Sequence, residues 1–307
     1  MKNKIIRYLL SAVLTLSGIF QFHAQENDLP LDIPGEIIKL KDLCDETLRV
    51  ALTKEINKNK RWKSLIAKKK MAVGIVDLSD PEAIQYAGIN DNVMMYAASL
   101  PKIAILLAVM DAVEDGTLEY TAELKRDLRL MISKSNNQAS TRNIDRVGYE
   151  KIEEVLRAPR HELYDEETGG GLWVGKRYAA GGRRYPDPLK GLSHAATVRQ
   201  VCSFYYQLAV GNLISTERSE QMLDIMKDPA LHHKFVNTLD KVAPKATFYR
   251  KSGSWKNYHA DSVLVWGPER KYIIVALVDN DFGEQIIRNL VKPLEKVLKD
   301  SRSLTKI

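Results

Sequence analysis

Strand-forming stretches lie near both ends of this chain, and helix-forming stretches fill its middle. That order excludes most simple layered folds. Residues 71–78 are β-rich and close at Asp80-Pro81, a second strand fits 83–87, and 88–92 reads as loop. Three further strands fit 246–251, 261–266 and 272–278, with Gly267-Pro268 turning between the last two. Between these groups, helices fit 99–113, 124–133, 139–147, 149–156, 195–210 and 217–226. Helices over 36–58 and 282–299 bracket the whole, the second carrying Ile286, Ile287, Leu290, Leu294, Val297 and Leu298 on one face. Residues 159–194 are rich in glycine and proline and read as irregular. The simplest fold is α+β: an antiparallel sheet built from both ends of the chain, flanked by helices, with an all-helical lobe inserted. On this plan 36–98 and 211–307 form the α/β lobe, 99–210 the helical lobe with its loop 159–194, and 25–35 a linker.

Lys2, Lys4 and Arg7 precede a mostly apolar run over 8–20, and Phe22-His23-Ala24 ends in a small residue. This reads as an export signal over 1–24, cleaved after about Ala24, which places the mature protein in the periplasm of a bacterium or outside the cell. The run is short for a bilayer span and no second one follows, so no stable membrane insertion is expected once the signal is gone. About 283 of the 307 residues then remain, enough for one large domain or two intimate lobes, and a monomer is expected. The formal charge of +7 includes three signal bases, so the mature excess is mild. Lys68-Lys69-Lys70 and Arg183-Arg184 are not interleaved with aromatic residues, and nothing points to nucleic acid. Cys44 and Cys202 are compatible with a disulfide in an oxidising compartment or with two buried thiols.

Three short patches carry the chemistry. In Ser99-Leu100-Pro101-Lys102, Pro101 fits only the first turn of a helix, so Ser99 lies at or just before its start. Lys102, three residues on, shares that face and can reach the Ser99 hydroxyl. Burial against Ile103, Ile105 and Leu106, with a second cation nearby, would keep it partly neutral and able to act as a base. Taken alone, a capping serine and a snorkelling lysine explain the patch more readily than catalysis does, and Ser303-Leu304-Thr305-Lys306 repeats its spacing. Ser135-Asn136-Asn137 sits between two helices. It reads as an ordinary cap, or as a proton relay (Ser135) with an amide partner for substrate and Lys102 (Asn137). Lys251-Ser252-Gly253 ends a strand. Lys251 and Ser252 would take a carboxylate, Gly253 would let a substrate backbone lie close, and the N–H groups of Ser254 and Ser99 would hold an oxyanion.

In this combination the chain resembles the penicillin-recognising serine hydrolases, most closely the class A β-lactamases. Their S-x-x-K, S-D-N and K-T-G patches match Ser99–Lys102, Ser135–Asn137 and Lys251–Gly253. The resemblance extends over most of 36–300. It implies a β-lactamase/transpeptidase-like fold with Ser99 as nucleophile, Lys102 as base and Ser135 as relay. Asn137, Lys251 and Ser252 become substrate contacts. Four departures stand out. Asn136 replaces an aspartate and Ser252 a threonine. Only 36 residues separate Ser99 from Ser135, which implies a more open cleft. No E-x-x-L-N string supplies the glutamate that activates the deacylating water, although Glu162, Asp165, Glu166 and Glu167 lie in the corresponding region. No arginine follows on the strand to take a substrate carboxylate, which leaves Lys256 or His259.

The expected function is an exported serine hydrolase that forms an acyl-enzyme on Ser99. A class A-like β-lactamase comes first, a D,D-peptidase or another cell-wall peptide or ester hydrolase second. A non-catalytic peptidoglycan-binding envelope protein is the third reading. The partner is a small β-lactam or a cell-wall peptide, and no metal or cofactor is called for. Gly170 to Lys176 fits a phosphate-loop spacing, but Arg177 stands where a Ser or Thr would hold magnesium. His232-His233 is an adjacent pair that does not suggest a shared metal, and His161 and His194 read as structural. Trp173, Tyr178 and Tyr185 form a cleft wall or anchor their loop.

Overall fold

The computed structural model describes residues 28–304, with side chains through Arg302. The proposed signal segment 1–24 and the side chains of Ser303 to Lys306 lie outside the described residues. In chain order the elements are α1 (Glu46–Asn57), α2 (Lys60–Ala67), β1 (Met71–Asp77), β2 (Gln85–Ile89), β3 (Met95–Tyr96), α3 (Lys102–Glu114), α4 (Ala122–Ser133) and α5 (Asn137–Arg157). There follow β4 (Tyr164–Asp165), β5 (Gly170–Gly171), β6 (Trp173–Val174), β7 (His194–Ala196), α6 (Val198–Ala209), α7 (Thr216–Met226), α8 (Phe235–Val242), β8 (Thr247–Trp255), β9 (Tyr258–Gly267), β10 (Arg270–Asp279) and α9 (Gly283–Leu304).

The five long strands form one sheet in the order β2-β1-β10-β9-β8, antiparallel at each pairing whose register is defined, so both ends of the chain do meet in one layer. Its central strands are apolar on both faces because each face carries helices. On β10, Tyr272, Ile274, Ala276 and Val278 point into one core with α1, α8 and α9, while Ile273, Val275 and Leu277 point into the other. The second core takes in α3, α6 and the helical lobe.

α6, grouped in the sequence with the helical lobe, packs directly across β1 and β10. Gly74 permits this: a Cβ there would sit 2.4 Å from Val198 Cγ1 and 3.0 Å from Cys202 Sγ. Residues 28–35, expected as a linker, are packed too. Leu29 and Leu31 are buried, the Leu31 N–H donates to Ala209 O, and the Asp28 carboxylate takes Trp266 Nε1 and Lys271 Nζ.

Other differences are local. The helix expected over 36–58 is a 3-10 turn over Leu40–Leu43 followed by α1, where the Asp45 carboxylate caps the Leu48 N–H. β2 runs to Ile89, through what reads as loop. The helices expected over 139–147 and 149–156 are one element, broken at Gly148, whose backbone (φ 82°, ψ 163°) is not helical. α2 and α8 were not anticipated; each is eight residues long. Both cysteines are free, and Cys44 is exposed, against the reading of two buried thiols. Among the described residues no helix is long and apolar enough to cross a membrane.

Candidate active site

α3 is buried on nearly every side, as its uniformly apolar sequence requires. Pro101 stands at its N-cap with φ −64°, so Ser99 lies on the turn just ahead of the first helical residue. Ala98 enters that turn with φ 51°, a left-handed conformation that a side chain disfavours and that the surroundings must impose. Lys102, the first residue of α3, is fully buried.

The Ser135 turn is held by α4 and α5. The Asp127 carboxylate of α4 takes Arg142 and Arg146 of α5, and Arg142 beside it pulls its value down to about 2. Asn136 caps α5 by accepting from the Ala139 N–H at 2.8 Å, a role for which its amide oxygen serves without a charge. Ser135 itself adopts φ 54°.

Two lysines converge on this turn. Lys102 Nζ donates to Ser135 O at 2.7 Å, to Asn137 Oδ1 at 2.8 Å and to Ser135 Oγ at 3.4 Å. Lys251 Nζ, from the edge strand β8, donates to Ser135 Oγ at 2.9 Å and to Ser252 O at 2.7 Å. The Ser135 hydroxyl thus joins two buried amines from opposite sides of the site. Burial pulls Lys102 down to about 7, and burial with the Lys102 charge pulls Lys251 well below the ordinary lysine range. The Tyr178 ring lies 4.4 Å from Lys102 Nζ and favours its cationic form. The hydrogen bond expected between Lys102 and Ser99 does not form in this state. The amine's protons go to Ser135 and Asn137, and among the described residues the Ser99 hydroxyl has no partner.

Along β8 side chains alternate. Lys251 and Gly253 face Ser99 and Ser135, while Arg250, Ser252 and Ser254 face the segment 231–234 that leads into α8. A Cβ on Gly253 would stand 2.2 Å from Ala97 O and 2.6 Å from Ser99 N, so only glycine lets the strand lie against the Ser99 turn. Ser252, expected to face substrate, is hydrogen-bonded to His233 Nε2 at 3.2 Å. Arg250 and Asp261 form an ion pair at 2.7 Å, with both side chains almost wholly buried. Lys234, also fully buried, donates to Gly253 O at 2.5 Å, Ser254 Oγ at 2.7 Å and Ala260 O at 3.1 Å. His233 and Lys234 escaped the sequence reading because no local pattern ties the start of α8 to a strand 19 residues later. His232, turned away, bonds Asp240. His259 packs against Gly283 behind the sheet, which removes it as a partner for substrate.

Ser99, Asn137 and Ser254 open onto a cleft of about 800 Å³, walled by Tyr96, Tyr178, Trp255 and Tyr258. Its charged lining residues are Lys176, Arg177, Arg184 and Lys256, and among the described residues no aspartate or glutamate lines it. Glu162 pairs with Lys39 and Lys41, and Glu166 with Arg157, all away from the cleft. His194, which does line the cleft, is buried and its value is pulled down to about 4. Its Nε2–H donates to Lys176 O at 3.0 Å, which leaves Nδ1 to accept from the Ser193 hydroxyl at 3.1 Å. The glycines of the apparent phosphate loop serve backbone packing: a Cβ on Gly175 would meet Tyr185 O at 1.6 Å. Trp173 and Tyr185 stack 5.9 Å apart behind the loop, and Tyr178 alone of the three aromatics lines the cleft.

The family described as the beta-lactamase enzyme family matches residues 52–128 and 121–297. No protein of curated function matches the chain. Among solved structures, a beta-lactamase from Sphaerobacter thermophilus superposes with a TM-score of 0.63 at 17% identity, over 81% of this chain and 97% of that one. A class A beta-lactamase representative from Bacteroides cellulosilyticus gives 0.62 at 17%, over 83% and 100%. A mutant of PBP-A, described as an acyl-enzyme complex with penicillin G, gives 0.62 at 16%, over 84% and 98%. At such identities these likenesses establish the fold.

Proposed function

We propose that this chain, which belongs to the beta-lactamase enzyme family, is an exported serine hydrolase that acylates Ser99 with a β-lactam or a cell-wall peptide. The observation that carries this reading is the Ser135 hydroxyl, shared between the buried amine of Lys251 and that of Lys102, which stands three residues after Ser99 at the start of α3. In the reaction, neutral Lys102 takes the Ser99 proton as Oγ attacks the amide carbonyl. The N–H groups of Ser99 and Ser254 hold the resulting oxyanion. The C–N bond then breaks, the Ser135 proton passes to the leaving nitrogen, and Ser135 is reprotonated from Lys102. Asn137 and Lys251 hold substrate, Gly253 keeps the strand against the Ser99 turn, and Ser252, bonded to His233, takes no part. PBP-A, of the same fold, is described as an acyl-enzyme with penicillin G, in keeping with this chemistry.

Within that reading, a long-lived acyl-enzyme of the peptidase type is favoured over rapid β-lactam turnover. A water attacking the Ser99 ester needs a base, and among the described residues no carboxylate lines the cleft. Intact mass after penicillin G treatment tests both points. An adduct should appear on the native chain, persist for minutes or longer, and be absent from Ser99→Ala. No adduct on a folded protein refutes the function, and one that clears within seconds refutes slow turnover.

A further inference from the structure

Among the described residues, Lys234 is a fully buried charge that the acylation sequence leaves unexplained. It has no exposed surface, no carboxylate pairs with it among the described residues, and nothing in the acylation sequence uses it. Of the carboxylates that act on it from a distance, Asp261 and Glu284, the first is occupied by Arg250 and by the Phe235 N–H. The Lys234 ammonium is therefore met only by neutral oxygens: Gly253 O, Ser254 Oγ and Ala260 O. Burial holds its value down to about 8, so it remains mostly protonated at neutral pH.

The peptide unit it touches matters. The Gly253 carbonyl belongs to the same amide plane as the Ser254 N–H. In a trans peptide the C=O and N–H point in opposite directions, so a lysine behind the carbonyl puts the N–H on the far side of the strand. Ser254 lines the cleft there with Ser99. A cation on a carbonyl oxygen draws electron density out of its amide nitrogen and makes the N–H a stronger donor.

From this we infer that Lys234 is a positioning residue which polarises the Gly253–Ser254 peptide and so strengthens the oxyanion-facing N–H of Ser254. The inference rests on the proposed acylation of Ser99 and adds the source of the oxyanion hole's strength. A charge fixed in a buried site acts with little reorganisation during the reaction, which is where such stabilisation is most effective.

The test is the infrared stretch of the ester carbonyl in the acyl-enzyme formed with penicillin G labelled with ¹³C at the β-lactam carbonyl. Stronger hydrogen bonding in the oxyanion hole lowers that frequency. In Lys234→Met the band should move to higher frequency and acylation should slow about tenfold. Lys234→Gln, which keeps a donor without the charge, should fall between, and it serves where the methionine protein does not fold. A merely structural lysine predicts lowered melting temperatures with the band unmoved, and that result overturns the inference. Failure of the native chain to form any adduct defeats the Ser99 reading instead, and this inference with it.

Discussion

Acylation of Ser99 should follow the titration of Lys102. An unperturbed lysine titrates near 10.4, which leaves about one amine in 2,500 neutral at pH 7. Burial brings Lys102 down to about 7, so about half is neutral there, a gain of roughly a thousandfold in active base. Because the neutral form is the base, the rate rises with pH. It should climb about tenfold per unit below pH 6 and level off above pH 8. His194, the histidine lining the cleft, titrates near 4, so it does not produce a step at 7. Lys251 shares Ser135 and shifts in the same direction, so a variant must separate the two. Lys102→Arg keeps the cation but cannot lose its proton, and acylation should drop by about 10²-fold or more at every pH. The assay is stopped-flow acylation with a chromogenic cephalosporin from pH 5.5 to 9.5. A rate still climbing tenfold per unit between pH 8 and 9.5, or one unchanged in Lys102→Arg, refutes the reasoning.

Two further expectations concern stability. Asp261→Asn leaves the Arg250 guanidinium buried without a counter-charge, and should destabilise the fold by about 3–5 kcal/mol, read as a lower urea midpoint with the same slope. His161 and His194 are both held near 4 by burial, so they stay neutral in the fold while the unfolded chain protonates below about 6.5. Their contribution is whole above that value and shrinks as pH falls toward 4. At pH 5.5 each should already have removed about 1 kcal/mol, measurable as a urea midpoint lower than at pH 7.

Elements whose own residues carry a periodic or capping signal were legible in the sequence. The long strands, the start of α3 at Pro101 and the amphipathic α9 all fall where spacing put them, to within a few residues. The three patches were legible as patches, and the fold does bring Lys102, Ser135, Asn137 and Lys251 together. What local signals could not supply is direction across long separations. Ser252 alternates away from Lys251, so it meets His233, and that contact depends on where the segment before α8 crosses behind the sheet. The Glu162 to Glu167 run looked like the place for a hydrolytic base, yet only three-dimensional packing decides whether a loop faces the cleft. Here Lys39, Lys41 and Arg157 claim Glu162 and Glu166 on another side.

Lys102, Lys234 and Lys251 surround the Ser99 turn and the end of β8, each almost wholly buried and none paired with a carboxylate among the described residues. Such a cluster opposes folding. All three are held below the ordinary lysine range, so between about pH 7 and 10 the unfolded chain binds more protons than the fold, and stability there rises with pH. Packing alone would be better served by methionine at each site. The three amines have in common that they attract or relay: they suit an attack on a carbonyl, an incoming carboxylate and a developing oxyanion. Hydrolysis of the resulting ester asks for a group that removes a proton from water. Among the described residues no carboxylate lines the cleft to supply one. The same cationic burial that makes acylation feasible therefore leaves deacylation poorly served.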